Sequence, residues 1–169
     1  IYKSGLPLFQ YGVLHIRDEM SPILPFTDIT SEIGVKNSHR ENPYNEFDRE
    51  TLMPRMVSTE GPALAVADIN HDGLEDIFIG SSKTYHPAVL IQQKDGSFNE
   101  SSQPALFIDS MWEHVDAQWV DVNADTHPDL VIATGGNEYY GEDPHMSPLL
   151  YLNDGKGMLR RKADAFPPL

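Results

Sequence analysis

Two short acidic loops of the same design constrain this chain more than any other feature of its sequence. The first reads DINHDGLED at positions 68–76, and the second reads DVNADTHPD at positions 121–129. Both place oxygen-bearing side chains at loop positions 1, 3, 5 and 9, between two apolar runs of strand length. The loops begin 53 residues apart, at positions 68 and 121, so the chain contains an internal repeat.

The apolar runs around the loops also recur in one order. They are short, rich in β-branched residues and separated by Gly, Asp and Asn, which is typical of β-strands. They lie at 63–67, 76–80, 88–91 and near 98 in the first unit, and at 117–120, 130–133, 149–152 and near 158 in the second. Four strands in a period of about 50 residues indicate propeller blades. An ordinary β-sandwich with two similar hairpins is the alternative.

The predicted fold is therefore all-β: a partial β-propeller of two four-stranded antiparallel blades plus an irregular N-terminal segment. We assign the first blade to residues 63–110 and the second to residues 111–169. Residues 26–62 form the polar irregular segment, with an outer strand allowed at 26–29 and a helical turn opening at Thr30. Residues 1–25, with a strand allowed at 13–16, are interpreted as a linker or the tail of a preceding domain. Two blades do not close a ring, so we expect a piece of a longer protein.

Oxygen side chains at alternating positions of a tight loop suit calcium, which takes about six to eight oxygen ligands in a flexible shell. A backbone carbonyl at position 7 adds a further oxygen. The predicted ligands of the first loop are Asp68, Asn70, Asp72, the Leu74 carbonyl and Asp76. Those of the second loop are Asp121, Asn123, Asp125, the His127 carbonyl and Asp129. Magnesium fits less well, because it retains more water.

The second loop departs from this pattern at two positions. Thr126 stands where the first loop has Gly73, and a positive φ would strain a β-branched residue there. Pro128 restricts the backbone of His127 to extended geometry. We therefore expect the second loop to bind calcium more weakly, or to fold with altered geometry.

The residues that follow the loops distinguish a calcium site between two strands from calcium sites of other classes. An EF-hand needs a glutamate at loop position 12, where this chain has Ile79 and Ile132 in strand-like runs. The chain has no cysteine, which excludes disulfides and cysteine-dependent calcium repeats. Asp, Asn and Gly are also good turn formers, so plain turns remain the alternative for each loop.

The charge balance limits the partners. A formal net charge of −14 makes nucleic acid a poor partner, because phosphate binding needs clustered Lys and Arg. No apolar run approaches the length of about 18 residues that suggests a transmembrane helix, so we expect no membrane insertion by this segment.

The stretch 67–80, ADINHDGLEDIFIG, resembles the FG-GAP/VCBS repeat, which is also the blade unit of integrin α-chain propellers. The chain from about 26 to 162 is similar to secreted Bacteroidetes proteins with VCBS repeats, often accompanied by ASPIC/UnbV-type domains. The matching stretches are FTDIT at 26, HREN at 39, FDRE at 47, STEGP at 58, GGNEY at 135 and LNDGKG at 152. The resemblance implies a calcium-binding propeller in an extracellular, periplasmic or cell-surface setting. It implies no particular activity.

Catalytic residues are not assigned, because no established catalytic motif is present. His39 and Glu41 can form an acid–base pair, although a hydrogen-bonded loop brace explains them as well. Glu113, Asp116 and Glu138 are candidate carboxylates for glycoside chemistry. Aromatic residues that can stack on sugars are Trp112, Trp119, Tyr139 and Tyr140, with core packing as the alternative for Trp119.

The expected function is that of a calcium-stabilised binding or scaffolding module with a protein or glycan ligand. The alternative is a part of a polysaccharide-processing enzyme, whose catalytic groups lie on these loops or in another domain.

Overall fold

The fold consists of two antiparallel sheets with the same topology. The computed structural model describes residues 27–59 and 61–167. The first sheet has the order β1 (Leu64–Ala67), β2 (Asp76–Ile79), β3 (Ala88–Gln92), β4 (Phe98–Ser101). The second has the order β5 (His114–Val120), β6 (Asp129–Thr134), β7 (Leu149–Asn153), β8 (Leu159–Arg161). Within each sheet every strand pairs with the next along the chain, which confirms the all-β prediction of two four-stranded blades.

Each acidic loop connects the first two strands of its sheet. The β1–β2 ladder ends at the pair Ala67 and Asp76, and the β5–β6 ladder ends at the pair Val120 and Asp129. The strand-forming runs are short and bounded by turn residues, so each sheet is a compact meander. Both acidic loops therefore lie at the same end of their blades.

The core lies between the two sheets. Side chains alternate along a strand, so only one face of β1 is buried: Ala65 is buried, while Leu64 is 59% exposed. From the first sheet Phe78 contributes a fully buried ring, and Leu130 of the second sheet is equally buried. Removing large apolar side chains from water stabilises the fold by about 1.5–3 kcal/mol each. Neither blade could bury these residues without the other.

A short helix, α1 (Pro104–Ile108), joins the sheets, and the sequence analysis did not predict it. Proline at the first helical turn was the available signal, since its missing N–H costs nothing there. Short 3₁₀ turns also form at Glu46–Asp48 and Pro144–Met146. None of the helices in the described ranges is long and apolar enough to cross a membrane.

The N-terminal segment is irregular over residues 27–59, apart from the 3₁₀ turn. The outer strand allowed at 26–29 does not form over residues 27–29, and Phe26 lies outside the described residues. The reason is a turn directly after it, in which the amides of Glu32 and Ile33 both donate to the Ile29 carbonyl, at 2.9 and 3.1 Å. The helical turn expected near Thr30 is thus present. The strand allowed at 13–16 also lies outside the described residues.

Candidate functional site: the paired acidic loops

The first acidic loop is closed by hydrogen bonds from its own backbone. The Asp72 amide donates to Asp68 Oδ1 at 3.1 Å and to Asn70 Oδ1 at 2.9 Å. The Gly73 amide donates to Asp68 Oδ2 at 2.9 Å, and the Leu74 amide donates to Asp72 Oδ1 at 2.9 Å. Oxygens from positions 1 and 3 therefore converge on one amide inside the turn. A positive φ of 85° at Gly73 lets the chain turn this sharply.

The second loop repeats these contacts at equivalent atoms. The Asp125 amide donates to Asp121 Oδ1 at 3.2 Å and to Asn123 Oδ1 at 2.8 Å. The Thr126 amide donates to Asp121 Oδ2 at 2.9 Å, and the His127 amide donates to Asp125 Oδ1 at 2.9 Å. The altered geometry allowed for this loop is therefore not found.

Thr126 adopts the left-handed conformation that Gly73 adopts, with a φ of 72°. The hydrogen bonds of the loop hold it there, although the branched side chain makes this conformation unfavourable. The backbone strain expected at Thr126 is thus present, although the second loop keeps the shape of the first. Weaker calcium binding by this loop stays a prediction.

The aspartates at position 9 tie each loop to the third strand of its sheet. Asp76 accepts from the Ile69 amide at 3.2 Å and from the Gln92 amide at 2.9 Å. Asp129 accepts from the Val122 amide at 3.2 Å and from the Asn153 amide at 2.8 Å. Both carboxylates are fully buried.

Burial raises the pKa of Asp76, and the nearby charges of Asp72 and Asp68 raise it further against the effect of its amide donors. Negative charge therefore accumulates inside the first loop. A cation held among these groups would relieve that repulsion.

The donor set fits calcium in its chemistry. Each predicted ligand offers oxygen, and a side-chain oxygen that accepts one N–H keeps a second lone pair for an ion. Within the described ranges no three His, Cys, Asp or Glu side chains are gathered as a metal site. The predicted sets depend also on Asn70 or Asn123 and on a backbone carbonyl. Calcium at either loop therefore remains a prediction.

Asn153, a residue that the sequence analysis did not single out, connects the two loops. Its side-chain amide donates to the Ile69 carbonyl of the first loop at 2.8 Å and to the Pro128 carbonyl of the second at 3.1 Å. Its Oδ1 accepts from the Gly155 and Gly157 amides, both at 3.1 Å. The side chain is buried, so it positions both loops from between the blades.

Several of the candidate catalytic groups meet at the opposite end of the blades. Lys83 links two of them: its amide donates to Glu113 Oε2 at 3.0 Å, and its ammonium lies 2.6 Å from Glu138 Oε2. The His39 ring contacts Glu41 at 2.5 Å, as the sequence allowed. Glu113 is 4% exposed, and burial raises its pKa to about 7, with the Glu41 and Glu138 charges adding to the effect.

Of the remaining candidates, Tyr139 lies next to that group, with Lys83 Nζ 4.2 Å from its ring centroid, and Trp112 meets the His145 ring at 4.5 Å with a tilt of 52°. Asp116 is exposed, and its Oδ1 accepts a hydrogen bond from the amide of Ala117. It therefore does not join the carboxylate group. Trp119 belongs to the core, which confirms the core-packing alternative for this residue. Tyr139 stacks on His145 at 4.5 Å, whereas Tyr140 is 74% exposed and lies beside Arg49. These aromatic rings do not form one flat sugar platform.

Paired blades with an acidic hairpin loop in each define a repeat module of the β-propeller type. The model of the FG-GAP-like repeat family matches residues 68–132, from the start of the first loop to the middle of β6. Among curated proteins, phosphatidylinositol-glycan-specific phospholipase D of Homo sapiens is 35% identical over 95 residues. The matched region covers 48% of this chain and 11% of that relative, so the chain spans only a small part of the relative's length.

Proposed function

We propose that this chain is a calcium-stabilised propeller module of an exported bacterial protein, and that it acts in binding or scaffolding. The observation that carries the proposal is the identical closure of two loops whose side-chain oxygens point inward. The ligands would be Asp68, Asn70, Asp72, Leu74 and Asp76 in one loop, and Asp121, Asn123, Asp125, His127 and Asp129 in the other. Bound calcium would neutralise the carboxylates and stiffen the hairpins.

An extracellular, periplasmic or cell-surface location follows from the same proposal. Extracellular calcium modules work with weak sites, because the free ion is abundant there. A strained second loop at Thr126 fits such a weak site. The resemblance to secreted Bacteroidetes proteins supports the same setting.

A protein or glycan ligand is proposed as the partner. The relative is, by its name, specific for phosphatidylinositol glycan, and this adds weight to a glycan. The enzymatic activity in that name belongs to a protein of which this chain matches only 11%. The activity is therefore not carried over to this chain.

A polysaccharide-processing role is the second candidate function. The supporting observation is the proximity of Glu113 and Glu138 around Lys83, together with the raised pKa of Glu113. A carboxylic acid that stays protonated near neutral pH can act as a general acid toward a glycosidic oxygen. Glu138 would then be the partner carboxylate.

Calcium titration tests the first proposal directly. Calorimetry should show binding, and the melting temperature should rise with calcium and fall with a chelator. Asp72→Ala should remove most of the response of the first loop. Asp95→Ala is the matched control, because Asp95 also caps a turn, at Ser97, but lies outside both acidic loops. Absence of binding heat together with an unchanged melting temperature would rule out calcium.

Two assays separate the binder from the enzyme. A glycan array identifies saccharide ligands, and reducing-sugar release from the bound saccharides detects hydrolysis. Glu113→Gln should abolish release if this residue is the acid, while it should leave array binding intact. Binding without release supports the binding module.

A further inference from the structure

Two histidines from different blades meet between the acidic loops. His71 Nε2 lies 2.7 Å from His127 Nδ1, although the residues are 56 positions apart in the chain. The ring centroids are 4.9 Å apart, and the ring planes are tilted by 54°. The two nitrogens are therefore at hydrogen-bond distance at the rim of both loops.

The pair is not part of the repeated loop design. His71 occupies loop position 4, where the second loop has Ala124. His127 occupies position 7, where the first loop has Leu74. Both loops close with the same hydrogen bonds despite these differences, so loop closure does not need the imidazole rings.

Both rings are placed by their surroundings. His71 has a φ of 61°, the conformation that Ala124 adopts in the second loop. The His127 ring lies over Gly155, where an added Cβ would come within 2.5 Å of Cε1. Gly155 therefore leaves the space that the ring fills, and the Gly155 amide is itself held by Asn153.

Imidazole nitrogen suits Zn²⁺, Cu²⁺ and Ni²⁺, whereas carboxylate and carbonyl oxygens suit calcium. Zinc binds such nitrogens at about 2.0–2.1 Å, so two of them on one tetrahedral ion stand about 3.3 Å apart. The observed separation of 2.7 Å must therefore widen by about 0.6 Å, and the rings must turn so that both lone pairs meet on the ion, which the exposed position of His71 allows. The acidic loops on both sides also attract cations to this position.

We propose that His71 Nε2 and His127 Nδ1 bind one divalent transition-metal ion, with Zn²⁺ as the probe, in a site separate from the oxygen loops. The ion takes a lone pair from each nitrogen, and the ring that donated its N–H carries that proton on its other ring nitrogen. Water completes the coordination shell. The bound ion links the first blade to the second.

The chain itself supplies the variants for a test. His71→Ala introduces the residue of the second loop at position 4, and His127→Leu introduces that of the first loop at position 7. Both substitutions thus place side chains that the same loop conformation already accommodates. His127→Leu keeps the backbone carbonyl that the calcium proposal uses. His86→Ala is the control, since His86 is exposed and lies beside Phe107 instead.

Zinc is titrated by calorimetry near pH 7.5 in excess calcium, so that the oxygen loops are occupied if they bind calcium. We expect one equivalent of zinc to bind the native chain and His86→Ala alike. Affinity should fall at least tenfold in His71→Ala and in His127→Leu. A calcium titration of the same variants reports the oxygen loops separately, so the two proposals can fail independently.

Three results with the native chain and the single variants would overturn the proposal. The proposal fails if the native chain binds no zinc, or if both loop variants bind zinc as tightly as the native chain does. It also fails if His86→Ala loses as much zinc affinity as the loop variants do. Melting curves without zinc show whether each variant is folded. The double variant His71→Ala/His127→Leu has alanine at position 4 and leucine at position 7 in both loops, and zinc binding by this folded variant with native affinity would also overturn the proposal.

Discussion

The side-chain amide of Asn153 donates a hydrogen bond to the backbone carbonyl of Ile69, 2.8 Å away and 84 residues distant in the chain. This contact crosses from the second blade to the first acidic loop. The same amide also reaches the Pro128 carbonyl of the second loop. One buried side chain therefore ties both loops together.

Asn153→Ala should destabilise the two-blade unit by about 2–3 kcal/mol, because it leaves two buried carbonyls and two amides without this partner. Urea unfolding measures the loss. Asn99→Ala, on the exposed side of β4, serves as the control and should change the free energy of unfolding by less than about 0.5 kcal/mol. Equal effects of both variants would contradict the bridging role.

Thr126→Gly should stabilise the second loop. The change relieves a β-branched residue at a φ of 72°, and the flexibility of glycine in the unfolded chain offsets part of the gain. We expect a net gain of about 0.5–1 kcal/mol in unfolding experiments. Calcium titration should show tighter binding at the second loop.

The reciprocal change, Gly73→Thr, should weaken the first loop. A Cβ at Gly73 meets no atom within 4 Å, so its cost is backbone strain and not a clash. If both reciprocal variants shifted stability in the same direction, strain at loop position 6 would not be the cause.

The repeat was visible in the sequence because each element is local. Alternating oxygen side chains, flanking apolar runs and Asp-Gly turns define hairpins within about ten residues. The strand pairing follows from that pattern, whereas the burial of Asp76, the first residue of β2, was not predicted. The outer strand allowed at 26–29 does not form over residues 27–29, and the cause is again local, because a turn directly after Ile29 interrupts it.

Contacts between blades were not predictable in this way. Asn153 looks like an ordinary turn residue, and its two carbonyl partners lie 84 and 25 positions away. The contact between His71 and His127 likewise depends on how the two sheets pack. Sequence spacing within one repeat carries no information on that packing.

Buried Glu113 should make the protein less stable as the pH rises. Its folded-state pKa of about 7 lies above the ordinary value of 4.5, chiefly through burial, so the folded protein holds a proton that the unfolded chain releases. The stabilising contribution is full below about pH 4.5 and is lost as the pH rises through about 7. Glu113→Gln should remove this dependence and raise stability at pH 8 by about 1–2 kcal/mol.

Urea unfolding at several pH values measures the effect of Glu113. Glu100→Gln is the control, since Glu100 lies exposed on β4. A slope of unfolding free energy against pH that Glu113→Gln leaves unchanged between about pH 4.5 and 7 would contradict this interpretation.

His114, the neighbour of Glu113, should have the opposite effect on the acid side. The residue is 1% exposed, and burial lowers its pKa from 6.5 to about 4 against the opposing charge of Asp109. Its Nδ1 accepts a hydrogen bond from the Ser81 amide at 3.1 Å, so the folded state requires a neutral ring. The unfolded chain takes up a proton below about pH 6.5, and stability is therefore lost as the pH falls from there toward about 4.

His114→Gln should remove this contribution, because a glutamine oxygen can accept the Ser81 amide and does not titrate, and the profile should then fall more steeply with rising pH through Glu113. The diagnostic quantity is the slope of unfolding free energy against pH between about 4 and 6.5, since repacking also shifts the absolute stability. His86→Gln, at an exposed histidine, should keep the native slope. If His114→Gln left the native slope unchanged, His114 would not contribute to it. The pH ranges of Glu113 and His114 overlap between about pH 4.5 and 6.5, so their opposite slopes offset each other in the native chain, and each single variant should expose the slope of the other group.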